Sequence, residues 1–93
     1  MALVIGVGEG GSFYVDETKC TVESMRDEQH FKIRVFHPFF ENLFEITDKI
    51  QVEILPEVLV SAGPVRPGLA SLAIDAPRHM TILRERLYVG SRG

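Results

Sequence analysis

The sequence predicts a mostly β protein, folded as a small β-barrel or sandwich with at most short helical turns. Apolar and polar residues alternate at the two-residue period of a strand, most clearly over 31–36. Glycine, proline and aspartate interrupt the apolar segments every few residues, as expected for short strands joined by turns. With 93 residues, of which 45% are hydrophobic and 25% charged, the chain suits a single globular domain spanning 1–93.

The first part of the chain predicts three strand regions. The apolar residues at 3–5 form the first strand, and the glycines at positions 6, 8, 10 and 11 are too flexible to continue it. A short strand is predicted at 13–15. Alternation on both sides of a polar turn at 26–29 predicts a hairpin over 20–36.

The segment after His37-Pro38 fits two structures. Proline ends the preceding strand because it has no N–H for a ladder. A helical spacing fits Phe39, Phe40, Leu43 and Phe44, and a strand spacing fits Phe44, Ile46, Ile50, Val52 and Ile54. We favour one helical turn near 38–43, followed by strands near 44–46 and 49–55.

Strand patterns return in the last third of the chain. Proline-rich and glycine-rich loops surround a short strand at 58–60, and a longer strand is predicted at 69–74. A turn over 75–79 leads to a final strand at 80–83. We expect one helical turn at 84–88.

The sequence lacks the motifs of several functional classes. Cys20 is the only cysteine, so neither an intramolecular disulfide nor a zinc site with two thiolates can form within one chain. The three histidines match no metal-ligand spacing, and the glycine cluster misses the dinucleotide fingerprint. We therefore expect no metal, no cofactor and no catalytic residues, and a protein that is not an enzyme.

The apolar segments are short, and this bears on location. None approaches the roughly 20 apolar residues of a membrane span. The start of the chain lacks the basic flank and long apolar core of a secretory signal. We expect a cytoplasmic protein without membrane contact.

Charge is distributed unevenly along the chain. Residues 1–63 carry five Lys or Arg against eleven Asp or Glu, whereas residues 64–93 carry five Arg against two acidic residues. Guanidinium groups bond bidentately to phosphate and guanine and keep their charge at any working pH. The arginine-rich end therefore suits nucleic-acid recognition, and an exposed charged face is the alternative.

A weak internal similarity raises the alternative of a duplicated chain. The segment 13–17, with Val22-Glu23 and Phe36-His37-Pro38, is similar to 44–48, with Val52-Glu53 and Asp75-Ala76-Pro77. Two copies of a small β unit would let one chain fold as a pseudo-dimer.

The C-terminal stretch carries a family resemblance. The motif Ala73-Ile74-Asp75-Ala76-Pro77, followed by Leu83-Arg84-Glu85-Arg86-Leu87-Tyr88, resembles the carbon storage regulator (CsrA/RsmA) family of RNA-binding translational regulators. The first strand, Gly8-Glu9 and the apolar triplet before Asp16-Glu17 are similar in order. The resemblance covers roughly residues 1–35 and 69–88, and it makes 37–68 an insertion.

The resemblance implies a function and a site. In that family the first and last strands of two protomers lie side by side in a homodimer that binds GGA in RNA hairpin loops of mRNA or small RNA. Arg84 would be the principal contact. The complete set implied is Arg84, Arg78, Arg86, Ala76, Pro77, Ile82, Leu3, Val4 and Ile5.

Three departures from the family favour an alternative function. Gly6 and Val7 stand where the family's first strand continues into basic residues, Arg86 replaces an acidic residue, and the insertion is acidic. The fold would then serve as a protein-interaction or assembly module without RNA binding, with a basic partner at the acidic insertion.

Overall fold

The computed structural model describes residues 2–84, which form nine β-strands and no helix. The strands are β1 Ala2–Val7, β2 Ser12–Val15, β3 Thr18–Asp27, β4 His30–His37, β5 Phe40–Thr47, β6 Val52–Leu55, β7 Val58–Ala62, β8 Ala70–Asp75 and β9 Ile82–Arg84. Accordingly, no helix in this part of the chain is long and apolar enough to cross a membrane.

The strands form two antiparallel sheets. Four strands follow the order β1-β8-β7-β6, and five follow the order β5-β4-β3-β2-β9. The predicted β class is therefore confirmed. The described strand pairs leave the two sheets separate, so the fold is a sandwich rather than a closed barrel.

The hydrophobic core lies between the two sheets, and strands such as β2, β3 and β4 turn alternate apolar residues inward to form it. Phe13, Val22 and Ile33 of the five-stranded sheet are fully buried. They share one cluster with Val60 and Leu72 of the four-stranded sheet. The core therefore draws on both halves of the chain.

Two tight hairpins use backbone conformations that few residues adopt. Asp16 begins the two-residue turn between β2 and β3 with a φ of 53°. Glu57 ends the corresponding turn between β6 and β7 with a φ of 67°, after Pro56. Aspartate tolerates the left-handed region better than glutamate, whereas proline favours the first position of a turn with positive φ at its second.

Strands β1–β4 and strands β5–β8 occupy equivalent positions in the two sheets. The meander β2-β3-β4 corresponds to β6-β7-β8, and the pair β1–β8 corresponds to β5–β4. Ile74 and Val35 are the last buried residues of β8 and β4, and in both cases a proline follows three residues later, beyond the end of the strand. The sandwich is thus built from two related halves that exchange their first strands.

The repeat also shows where the two halves differ. β9 pairs with the outer edge of β2, but no strand within residues 2–84 pairs with the corresponding edge of β6. The similarity between 36–38 and 75–77 matches this repeat. The rest of the sequence similarity does not, because Phe13 lies in β2 whereas Phe44 lies in β5.

The helical turn predicted near 38–43 is wrong. Residues 40–47 form β5, which pairs with β4 along its whole length. A tight turn at Pro38-Phe39 reverses the chain, and the ring of Phe40 stacks on that of His37 with 4.4 Å between centroids. Cross-strand pairing therefore outweighs the helical spacing of the phenylalanines.

The other predicted strands are close to those in the structure. The hairpin over 20–36 lies within β3 and β4, and the strand at 58–60 extends to Ala62 as β7. The strands expected at 44–46 and 49–55 correspond to part of β5 and to β6. The helical turn expected at 84–88 lies outside the described residues, apart from Arg84, which ends β9.

The segment expected as an insertion, 37–68, supplies β5, β6 and β7 to the two sheets. Ile46, Ile54, Val58 and Val60 from this segment are buried in the common core. These residues therefore form part of the common core of the sandwich.

Candidate nucleic-acid interface

One edge of the sandwich brings together β1 and β9, the end strands of the two sheets. Leu3 of β1 and Ile82 of β9 line one groove, and Gly6 of β1 and Arg84 of β9 line another. We call this region, formed by β1, β9 and the loop at 76–81, the arginine edge. Both of its strands come from one chain.

The register of β9 determines which of its side chains face β1. Ile82 lies opposite Val15, and Arg84 lies opposite Phe13. Directly opposed residues share one face of an antiparallel sheet, and Phe13 and Val15 are both buried. Ile82 and Arg84 therefore project toward the core side, where they reach the edge formed by β1.

An apolar groove occupies one end of the arginine edge. Its lining consists of Leu3, Ile74, Ala76, Pro77, Arg78, Met80 and Ile82. Leu3 is 42% exposed, so part of this apolar lining is open to solvent. The groove combines an apolar floor with an exposed arginine and the main chain of a proline-containing loop.

A second groove lies beside the glycines that follow β1. Arg84 and Leu69 line it together with Gly6, Gly8 and Gly11. Gly8 and Gly11 bring the main chain to the wall of this groove, which Arg84 also lines. Neither groove is lined by an acidic residue, within the part of the chain that the structure describes.

Gly6 explains one departure from the family pattern. A Cβ atom at this position would lie 2.8 Å from Leu69 Cδ1 and 3.4 Å from Arg66 Cδ. The space that a basic side chain would use is therefore filled by residues of the loop between β7 and β8. The aliphatic part of the Arg66 side chain lies against Gly6, which adds a third arginine beside this edge.

Asp16 holds the loop that precedes β9. Its carboxylate Oδ1 accepts a hydrogen bond from the Thr81 N–H at 2.9 Å, and its own N–H donates to the Thr81 carbonyl at 2.8 Å. Within the loop, the Met80 N–H donates to the Pro77 carbonyl at 3.1 Å. This reciprocal pair holds Thr81, the residue before β9, against the start of the turn between β2 and β3.

The structure brings most of the implied site residues to the arginine edge. Leu3, Ala76, Pro77, Arg78, Ile82 and Arg84 line its two grooves. Ile5 is instead buried in the core. Val4 points to the opposite face of its sheet, 3.5 Å from the Cβ position of Gly63. Arg86 lies outside the described residues.

The basic residues of β4 do not extend this positive surface. Arg34 forms ion pairs with Glu23 and with Glu41, the latter at 3.0 Å. The hydrogen bond to Glu23 is the main reason that the pKa of Arg34 is raised and that of Glu23 lowered. Lys32 lies directly opposite Glu45 across the ladder. The outer face of the five-stranded sheet is therefore mixed in charge.

Two other chemically active groups have local structural roles. Burial raises the pKa of the Cys20 thiol to about 12, so this cysteine stays protonated and unreactive at neutral pH. His30 Nδ1 lies 2.8 Å from Asp27 Oδ1, and this bond is the largest cause of the lowered pKa of Asp27. The described residues contain no group of three or more His, Cys, Asp or Glu that could hold a metal ion.

Comparison with known proteins identifies no relative. No family model matches the chain, and neither a curated protein nor a solved structure is significantly similar to it. Function must therefore be inferred from the grooves and charges of the structure itself.

Proposed function

We propose that the chain is an RNA-binding post-transcriptional regulator of the carbon storage regulator type, which binds a GGA sequence in a hairpin loop at the arginine edge. The observation that carries the proposal is the position of two arginines along one edge, Arg78 in the apolar groove and Arg84 in the groove bordered by glycines. Sequence-specific proteins bind RNA mostly at unpaired loops, where the bases present both their faces and their edges. The arginine edge offers an apolar surface for the faces of the bases, and an arginine and main-chain groups for their edges.

Each part of the edge has a chemical role in this proposal. Leu3, Met80 and Ile82 form an apolar surface against which an unstacked base can lie. The guanidinium of Arg84 can donate two parallel hydrogen bonds to a guanine edge or to a phosphate. Main-chain groups of the Ala76-Pro77 turn can bond the edges of the remaining bases. Binding there would cover the transcript and so regulate its translation in the cytoplasm.

The topology bears on the number of chains needed. The family's site uses strands of two protomers, whereas β1 and β9 of this chain already share one edge. A single chain therefore supplies both strands of the proposed site, although β1 pairs with β8 and β9 pairs with β2 rather than with each other. Homodimerisation remains a prediction, and light scattering of the free protein and of its RNA complex will measure the number of chains in each.

The experiment that tests the proposal is a titration of a GGA hairpin with three proteins. Arg84→Ala should weaken binding about 5- to 150-fold, because a bidentate arginine contact is worth about 1–3 kcal/mol. Lys49→Ala is the matched control, since it removes one exposed positive charge from the turn between β5 and β6. It should change the affinity less than about twofold.

A salt series and a mutated RNA complete this test. Affinity for the wild-type protein should fall as salt rises, with a slope that decreases when Arg84 is removed. A hairpin with CCA in place of GGA should bind weakly. The proposal fails if wild-type protein shows no saturable binding, or if Arg84→Ala and Lys49→Ala bind the GGA hairpin equally well.

A further inference from the structure

The second edge of the sandwich is related to the arginine edge by the strand repeat. β5 corresponds to β1, and β6 corresponds to β2. We call the region formed by β5, β6 and the turn Pro56-Glu57 the acidic edge. Whereas β2 carries β9, no strand within residues 2–84 covers the outer side of β6. In the described part of the chain, the outer side of β6 is therefore uncovered. In the other half of the fold, the equivalent position beside β2 holds a strand.

A strand edge of this kind can accept another strand. Unpaired main-chain N–H and C=O groups at the edge of a sheet bind extended segments by strand addition. β6 is four residues long, as is β2, and β2 is sufficient to pair with the three residues of β9. The short length of β6 is therefore no obstacle to a similar pairing.

A groove between β5 and β6 would receive the side chains of an added strand. Its apolar lining includes Phe40, Phe44 and Leu55, and its polar lining consists of Asn42, Glu53 and Glu57. On the arginine edge, the side chains of β9 that point toward β1 are those of Ile82 and Arg84. A strand added to β6 would likewise direct alternate side chains into the groove.

The charges of the groove determine which partner fits. Glu53 lies in β6 and Glu57 lies in the turn that follows it. The Glu53 carboxylate accepts a hydrogen bond from the Glu57 N–H at 3.0 Å. Two neighbouring carboxylates attract lysine or arginine and repel the phosphates of a nucleic acid. Phe40 and Phe44 favour an apolar residue between the basic ones.

We propose that the acidic edge is a docking site for an extended basic segment of a partner protein, which adds to β6 as β9 adds to β2. Its apolar side chains would contact the phenylalanines of β5, and its basic side chains would lie beside Glu53 and Glu57. The proposal is independent of RNA binding, because the two edges use different strands.

The test uses the full chain and a peptide copied from residues 78–86, Arg-His-Met-Thr-Ile-Leu-Arg-Glu-Arg. This peptide contains β9, which is the strand that occupies the corresponding position on β2. Backbone amide shifts report the location of binding, and their titration reports the affinity. The control peptide carries Arg84→Glu and Arg86→Glu.

Two protein variants separate charge from fold. Glu53→Gln with Glu57→Gln removes both charges, and the amide oxygen at position 53 still accepts the bond from the N–H of residue 57. Glu17→Gln is the matched control, because Glu17 is an exposed acid in the corresponding turn after β2. We expect saturable binding with amide shifts at Val52–Leu55, weakened about threefold to tenfold in the double variant only.

Each remaining outcome counts against the proposal. It is overturned if the basic peptide shows no saturable binding, or if the control peptide or the double variant binds as strongly. Shifts confined to Ser12–Val15 would mean that the peptide displaces β9 from β2. Concentration-dependent shifts at Val52–Leu55 without peptide would mean that a second copy of the chain, rather than a basic partner, occupies the edge.

Discussion

The two edges of this sandwich share one strand arrangement but differ in chemistry. At the arginine edge, β9 covers β2, and the grooves contain Arg78 and Arg84. At the acidic edge, β6 has no strand on its outer side within residues 2–84, and the groove contains Glu53 and Glu57. Because the backbone framework is the same, the difference lies in the side chains and in one strand.

Under the two proposals, one fold would serve two ligands. Opposite charges at two separate edges allow one edge to select RNA and the other to select a basic protein segment. A symmetric pair of arginine edges would offer two RNA sites per molecule. Here a single chain presents one edge of each kind, so the proposed RNA complex contains one site per chain.

The largest change in stability is expected at the turn that positions β9. Asp16→Gly relieves the left-handed backbone but removes the carboxylate bond to the Thr81 N–H. We expect a net loss of about 0.5–1.5 kcal/mol in the free energy of unfolding, measured by urea denaturation, because the bond is partly exposed. RNA affinity should fall with it, since the loop at 76–81 loosens.

Asp16→Asn is the control for this prediction. Asparagine tolerates positive φ and keeps a side-chain oxygen for the Thr81 N–H, so both stability and RNA affinity should stay close to wild type. A glycine variant as stable as wild type would mean that Asp16 does not hold β9 in place.

A smaller effect is expected from substitution of Arg66. It would show whether the RNA-binding surface extends from the arginine edge to the loop between β7 and β8. Its side chain lies against β1 at Gly6, beside the groove that contains Arg84. Arg66→Ala should weaken GGA-hairpin binding about threefold to tenfold and reduce the salt slope by the contribution of one phosphate contact. The titration fails to support a role for Arg66 if affinity and slope both remain at wild-type values.

The smallest effect is expected at the corresponding turn of the acidic edge. Glu57→Gly relieves a φ of 67° and should stabilise the protein by a few tenths of a kcal/mol up to about 1 kcal/mol. Thermal unfolding of both glycine variants checks this, because Glu57→Gly should raise the unfolding midpoint and Asp16→Gly should lower it. Equal destabilisation by both variants would show that the two turns do not differ as the structure indicates.

Local sequence patterns were sufficient for much of the fold. Phe31, Ile33 and Val35 alternate with polar residues, and this alternation places them in a half-buried strand without any knowledge of the partner. β5 could not be predicted this way. Phe40 and Leu43 fit a helical spacing but remain 36% and 44% exposed, and only pairing with β4 makes this segment a strand.

The candidate site was predictable only in part. Arg84, Ile82 and Leu3 were selected through the family resemblance, and all three line the arginine edge. Arg66 was missed because it lies in a loop without a periodic pattern, and its contact with Gly6 depends on tertiary structure. Asp16 was missed as a positioning residue because its bond to Thr81 spans 65 residues of sequence.

The measurement that tests the central claim most directly is a map of RNA contacts on both edges of one sample. Backbone amide shifts of the full chain are recorded while a GGA hairpin is added. We expect shifts at Leu3, Ala76 and Ile82, with Asn42 and Ile54 unchanged at the acidic edge. Shifts at β5 and β6, or the same small shifts throughout the chain, would contradict the assignment of RNA to the arginine edge.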